Sequence, residues 1–442
     1  MKKNLPKLMF ALGSVLALNS LAPTSAMAID LVPTVKDAIL HSPEFRKAVK
    51  ENQGVKADLT AAEGDWLPTV NLGAGFGREE IDTDANSRSL DRQETSIRAS
   101  QNLFKGFGTQ NEIKRQQARL ESANLTTQAA ANKVALDMVD AYYTQLREQR
   151  LYMLALDNRQ THERILDQII QRSQAGVGNE VEVDQAKARL ALANSNVSAS
   201  KNNYQDVMTR FHRVLGRFPD SELSTPAITL TLPDSVDDAV DVALVTHPSL
   251  RAANSDITDA RMEYDVVRQA FYPTVSIEVQ KTYDDNINGI EGKNENFQAM
   301  LRMRYNLFNG GKDSARLDRA ASEIYQAAEV RNNTRRDVIE SLRYAWKAKE
   351  FIEEQMLFQQ QQIDMTLQTL EGYREQFSLG RRTLLDLLNT EDEYIRAQMA
   401  LINSETDFKI SQYRILAATG QLIDTLGIQL DYDKLIPQEG GE

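Results

Sequence analysis

Two acids and one arginine carry the clearest chemistry in this chain. Glu182 stands three residues after Asn179, which follows Gly176. Asp386 stands three residues after Thr383, which follows Gly380, with Arg382 between them. The two sets keep one register. Gly176 and Gly380, Asn179 and Thr383, and Glu182 and Asp386 are each 204 positions apart. Each set reads as a Gly that ends one helix, then a capping residue with an acid three positions on. An acid there accepts from free backbone N–H groups and meets the positive end of the helix dipole. Capping is a structural role, and it does not exclude a second one.

Other chemistries drop out. The chain has no Cys, which removes disulfides, thiolate metal sites and Cys nucleophiles. It also removes the residue that a bacterial lipid anchor needs. His41 and His247 lie beside prolines, and His162 and His212 lie on polar helical stretches, so the four His form no metal site. Gly73-Ala74-Gly75-Phe76-Gly77 lies inside a strand pattern and no helix follows it, so it is no dinucleotide loop. Gly310-Gly311-Lys312 lacks the spacing of a phosphate loop. A formal net charge of -12 argues against nucleic acid as a partner. No nucleophile–base set emerges. The expectation is a protein that is not an enzyme and uses no cofactor and no metal.

The elements that must position the two turns are long helices. Residues 1–28 read as a secretory signal. Lys2, Lys3 and Lys7 precede an apolar run, and Ala26-Met27-Ala28 is a small-x-small box with cleavage after Ala28. Removing three Lys and no acid takes the charge from -12 to -15. Thr34 with Asp37 opens a helix, and Ser42-Pro43 starts another. A β-hairpin is expected over about 68–104, with Asp82 to Arg92 as its polar loop. From Gly106 to about Ser173 there is no Pro, and no Gly after Gly108. That run predicts a helix about 100 Å long at ~1.5 Å per residue. A turn at about 174–179 and a helix over Asn179 to Leu215 complete the first repeat, 29–216. Residues 217–235 hold Pro219, Pro226 and Pro233 and read as a linker, with a short strand at Ala227 to Leu232.

The second repeat, 236–420, follows the same plan. It has a helix over Val236 to Phe271, a hairpin over about 273–308, a long helix, a turn at about 378–383 and a last helix. A tail covers 421–442. Pro248 answers Pro43 and Pro273 answers Pro68, each 205 positions on, and both of the latter open Pro-Thr-Val. Asn306-Leu307-Phe308 answers Asn102-Leu103-Phe104 at 204. The repeat is a tandem one. In the second hairpin Phe297, Ala299, Leu301 and Met303 alternate with Gln298, Arg302 and Arg304. Apolar on one face and charged on the other is the pattern of a membrane barrel with a wet lumen. Four strands cannot close a barrel, since small ones need about eight, so an oligomer is required.

These features resemble the TolC family of outer-membrane factors. The resemblance rests on the signal, the doubled helix–hairpin–helix–turn–helix unit, the Pro-Thr-Val and Asn-Leu-Phe strand ends, and the run from Tyr373 through Phe377-Ser378-Leu379-Gly380-Arg381-Arg382-Thr383-Leu384-Leu385-Asp386. It covers nearly the whole chain after the signal. It implies an α+β fold, assembled as a homotrimer with a twelve-stranded barrel in the outer membrane and a twelve-helix periplasmic tunnel. It implies partners too: a periplasmic adaptor, an inner-membrane ABC or other export pump, and outer-membrane lipid. The closest subfamily in pattern is the outer-membrane component of type I protein secretion. Small-molecule efflux is the alternative cargo class. A periplasmic adaptor is the alternative of a different class, and the duplicated alternating strands argue against it.

The resemblance also implies roles for the turns. They form the periplasmic tip, where acids ring a constriction and an Arg ties neighbouring helices. On this chain Arg382 is the tying base, Asp386 the ring acid and Glu182 its match in the first copy. A second ring acid is common one turn on, and here it is Asn389. An aromatic hydroxyl is common three residues before the Gly, and here it is Phe377. The ring is therefore half as charged and one hydrogen bond to Arg382 is missing. Gly176, Val177, Leu379 and Gly380 are the implied adaptor contacts.

Overall fold

Pro and Gly punctuate the chain, and the helices and strands run between them. The computed structural model of the chain describes residues 29–83, 86–219 and 222–430. The expected signal with its Ala28 cleavage site, and residues 431–442 of the tail, lie outside the described residues. Helices α1 (Leu31–His41) and α2 (Pro43–Gly64) lead into strands β1 (Thr69–Thr83) and β2 (Asn86–Lys105). Long helix α3 (Gly108–Gln174) and α4 (Glu180–Leu215) follow. The plan then repeats with α5 (Val236–Thr246), α6 (Pro248–Val267), a 3-10 turn (Arg268–Phe271), β3 (Thr274–Ile287), β4 (Ile290–Arg304), α7 (Lys312–Ser378) and α8 (Leu384–Ala418). A single turn, α9 (Leu422–Thr425), packs back on the core with Leu422 buried. The fold is α+β, one unit used twice. Both α3 and α7 have 67 residues, about 100 Å at ~1.5 Å per residue.

Four details depart from the sequence reading. In the polar stretch expected as a loop, Asp82 and Thr83 belong to β1 and Asn86 to Arg92 belong to β2, and the β1–β2 ladder runs out to Thr83 opposite Asn86. Its polar side chains pair across the strands, as Arg92 does with Glu79 at 2.7 Å and Arg78 with Ser89; this offsets their turn-like composition. The first helix starts at Leu31, and Thr34 lies inside it, its hydroxyl donating back to Asp30 O at 2.6 Å. The helix expected over Val236 to Phe271 is broken at His247, which is extended (ψ 119°) because Pro248 follows. Ala227 to Leu232 forms no strand. Ile228, Leu230 and Leu232 pack against the core as an extended segment instead.

The helices form a wall one layer thick. Near the sheet, α3 lies between α2 and α6, and α6 lies between α3 and α7. Toward the turns, α3 lies between α4 and α8, and α8 packs on α7. The sheet order is β1-β2-β3-β4, all antiparallel. Sheet and wall thus end alike: β1, α2 and α4 form one free edge, and β4 and α7 the other. No helix among the described residues is long and apolar enough to cross a membrane.

The ladder register sorts the strand residues by face. Leu72, Ile97 and Phe297 share a row with Lys281, and Val70 aligns with Ala99, Val279 and Ala299. Ile277 pairs with Leu301 and Val275 with Met303. The other face is polar: Arg302 and Arg304 both reach Glu278, and Arg98 donates to Gln280. Halfway along the wall sits the main core, built on Tyr142, Phe211 and Tyr413. There the Tyr142 hydroxyl lies 2.6 Å from Ile29 O and 2.8 Å from Ser224 O, holding the linker to α3.

Candidate functional site

The two turns at the far end of the wall are built alike. After α3, Gly176 takes φ 75°, and Val177 N donates to Arg172 O at 3.0 Å. After α7, Gly380 takes φ 72°, and Arg381 N donates to Gln376 O at 2.8 Å. Both are left-handed helix ends that satisfy otherwise free carbonyls, a conformation that favours Gly. The residue after Gly176 and the residue before Gly380, Val177 and Leu379, are about 70% exposed, at 71% and 68%. They present an apolar tip on each turn.

The caps differ. Thr383 and Asp386 form a full capping box: Asp386 N donates to Thr383 Oγ1 at 3.2 Å, and the carboxylate accepts from Thr383 N and Oγ1. Those hydrogen bonds from Thr383, with the nearby Arg382 guanidinium, hold the Asp386 carboxyl below the usual carboxylate range. In the first copy Asn179 Oδ1 accepts from Glu182 N at 2.8 Å.

Arg382 works inside its own turn. It lies over the Tyr373 ring at 4.3 Å, donates from Nε to Gln376 at 3.1 Å and comes within 3.7 Å of Asp386. Within the chain it therefore ties the end of α7 to the start of α8. Phe377 is buried beneath the guanidinium of Arg172, 4.6 Å from its ring centroid, and Arg172 Nη1 donates to Phe377 O at 3.1 Å. Asn389 accepts from Arg189 of α4 at 3.0 Å. So the two positions that depart from the family pattern are both engaged by arginines of the first repeat. Arg374 donates twice to Glu391, whose side chain is 4% exposed. Leu370, Phe377, Leu384, Leu387 and Leu388 pack with Ile165, Ile169 and Ala186 beneath the turns. A cleft of ≈ 860 Å³ opens between the two turns.

The sequence reading found the symmetric residues and missed the crossing ones. The register explains this. The position 204 after Arg172 is Gln376, and the position 204 after Arg189 is Glu393. A search for what the copies share passes over residues that only one copy has. The chemistry of the site is that of a tie. It has fixed cations, capped acids and exposed apolar tips, with no nucleophile beside a base. Among the described residues no group of His, Cys, Asp and Glu could hold a metal ion.

Residues 34–217 and 239–421 each match the family model described as outer membrane efflux protein. The Outer membrane efflux protein BepC of Brucella suis biovar 1 is 25% identical, over 76% of this chain and 74% of its own length. Outer membrane protein TolC of Salmonella enteritidis is 22% identical over 94% and 87%. The Proteases secretion protein PrtF of Dickeya chrysanthemi is 21% identical over 94% and 92%. A crystal structure of CusC matches with a TM-score of 0.78 at 15% identity, over 88% of this chain and 91% of that one.

Proposed function

The chain belongs to the outer membrane efflux protein family, and from that premise we propose that it is the outer-membrane conduit of a type I protein-secretion system. At the family level it is an outer-membrane channel component of export machinery and not an enzyme. The protein-cargo reading is favoured by the likeness to a relative named for protease secretion, which spans 94% of this chain. Small-molecule efflux is the second reading, favoured by the name of BepC.

The observation that carries the conduit is the matched pair of open edges. Among the described residues the sheet lacks a partner for β4 on one side and for β1 on the other, and the wall lacks one for α7 and for α4 with α2. A head-to-tail contact between copies satisfies both edges at once and closes a ring. Three copies give twelve strands and a homotrimer. On α7, Tyr344, Phe351, Phe358 and Met365 recur every seven residues and are 58–69% exposed. They are the seam for the next copy. From Val70 to Phe76 the apolar face of β1 spans about 20 Å, against a lipid-facing band of about 25 Å in such barrels.

In that assembly the turns are the periplasmic tip. Glu182 and Asp386 line its constriction, and Arg382 stiffens the turn that carries Asp386. Phe377 and Asn389 set how firmly it is held. Gly176, Val177, Leu379 and Gly380 meet a periplasmic adaptor, which joins the tunnel to an inner-membrane ABC pump. The test compares proteins in the medium of cells with and without this chain. Loss of one or a few large secreted proteins supports the protein-cargo reading. An unchanged medium from expressing cells, with new drug sensitivity in cells lacking the chain, overturns it in favour of efflux.

A further inference from the structure

We propose that Arg172 and Arg189 are the clamp that holds the α7–α8 pair against the α3–α4 pair, and that they act on uncharged acceptors. The inference rests on reading the turns as the closed end of a channel. It assigns the closure to residues that the capping pattern does not contain.

Among the described residues near the turns, two side-chain hydrogen bonds cross from one pair to the other: Arg172 to Phe377 O and Arg189 to Asn389 Oδ1. The other arginine contacts there stay within one pair. Arg374 meets Glu391, and Arg382 meets Gln376, Tyr373 and Asp386, all on α7 and α8 or the turn between them. Cutting those loosens one hairpin. Cutting the crossing bonds removes the polar ties between the pairs and leaves only their apolar contact.

Arg172 is placed to hold. Phe377 O already accepts from Gly380 N at 3.0 Å, and Arg172 uses its remaining lone pair. Helix α7 has no basic residue in its last turn, so Arg172 supplies from outside the cation that a helix C-terminus favours. The same guanidinium covers the Phe377 ring, and its planar shape serves both contacts. A tyrosine hydroxyl is not needed for this tie; a ring and a carbonyl are. Arg189 does likewise at Asn389, where an amide oxygen takes the place of a carboxylate. Buried His162 of α3 feels the charge of both Arg189 and Asp392 of α8. Neither acceptor of the clamp carries a proton to lose.

Planar-bilayer recordings of the purified full chain test this. The Arg172→Ala/Arg189→Ala double variant is expected to raise open occupancy about tenfold or more over the unmodified protein, the factor carried by loss of a charged hydrogen bond. Asn389→Ala, at an exposed position, keeps both arginines and should raise it by a smaller factor with an unchanged melting temperature. Arg172→Lys, which keeps the charge and loses the planar stack, should fall between the unmodified protein and the double variant. Should the double variant fail to fold, the Asn389→Ala and Arg172→Lys recordings decide alone. If the unmodified protein conducts and these variants conduct no better, the clamp is wrong. If the unmodified protein forms no channels at all, the channel reading fails, and the clamp with it.

Discussion

His162 shows how one side chain links the site to pH. It is 6% exposed, and burial holds its pKa below the ordinary value; Arg189 pushes the same way and Asp392 opposes. A folded pKa below the unfolded one means that the unfolded chain binds the proton first. Stability is then full above about pH 6.5 and falls as pH drops below it, by at most ~1.4 kcal/mol per pH unit. His162→Gln should flatten the dependence of the melting temperature between pH 7.5 and 5.5, read by circular dichroism; an unchanged slope would remove His162 from the explanation. Asp386 acts in the same direction but at lower pH. Its lowered pKa keeps it ionised through that whole range, and its contribution is lost only in strong acid. Arg382→Ala should raise bilayer conductance, but less than the Arg172→Ala/Arg189→Ala change, because Arg382 binds only its own hairpin. An effect larger than that of the crossing pair would contradict this ordering. Of the site residues, the caps were legible because Gly, Asn, Thr and an acid three residues on form a local signal. Arg172 was not. Its partner is 205 residues away, and nothing near it in sequence announces Phe377.

Helices and strands carry their own tests. Gly380 and Gly420 both have positive φ, at 72° and 78°, yet their surroundings differ. A Cβ on Gly380 meets nothing within 4 Å, whereas one on Gly420 would lie 2.8 Å from Pro248 Cδ and 3.1 Å from His247 Cα. Gly380→Ala should cost about 1 kcal/mol, for backbone strain alone. Gly420→Ala should cost about 1–3 kcal/mol more, as overpacking does; equal melting temperatures would refute the comparison. On α7, Phe351→Glu with Phe358→Glu places charges in the seam assigned to the neighbouring copy. The trimer should be lost, measured by mass in detergent, while helix content is retained. A trimer of normal mass would place the seam elsewhere. The long helices were legible because α3 and α7 run without Pro. The reach of the β1–β2 hairpin was not, since polar residues such as Arg92 look like loop residues until the cross-strand pairing of Arg92 with Glu79 is seen. Nor was the break at His247 marked by composition; only the proline after it signals it.

The assembled conduit follows from the edges. One chain supplies a four-stranded sheet and a four-helix wall, each open on the same two sides. An open strand edge and an exposed aromatic stripe both invite pairing. In the proposed assembly, copies of the same chain close them into a passage, and the proposal places Glu182 and Asp386 of every copy at its narrow end. Such a passage attracts cations. The decisive measurement is the reversal potential of single channels formed by the purified, unmodified protein under a KCl gradient. Discrete current steps that reverse on the potassium side, with the shift reduced in Asp386→Asn, are the predicted result. Steps that reverse on the chloride side, or no discrete steps at all, would contradict a closed ring of chains whose acidic turns face the passage.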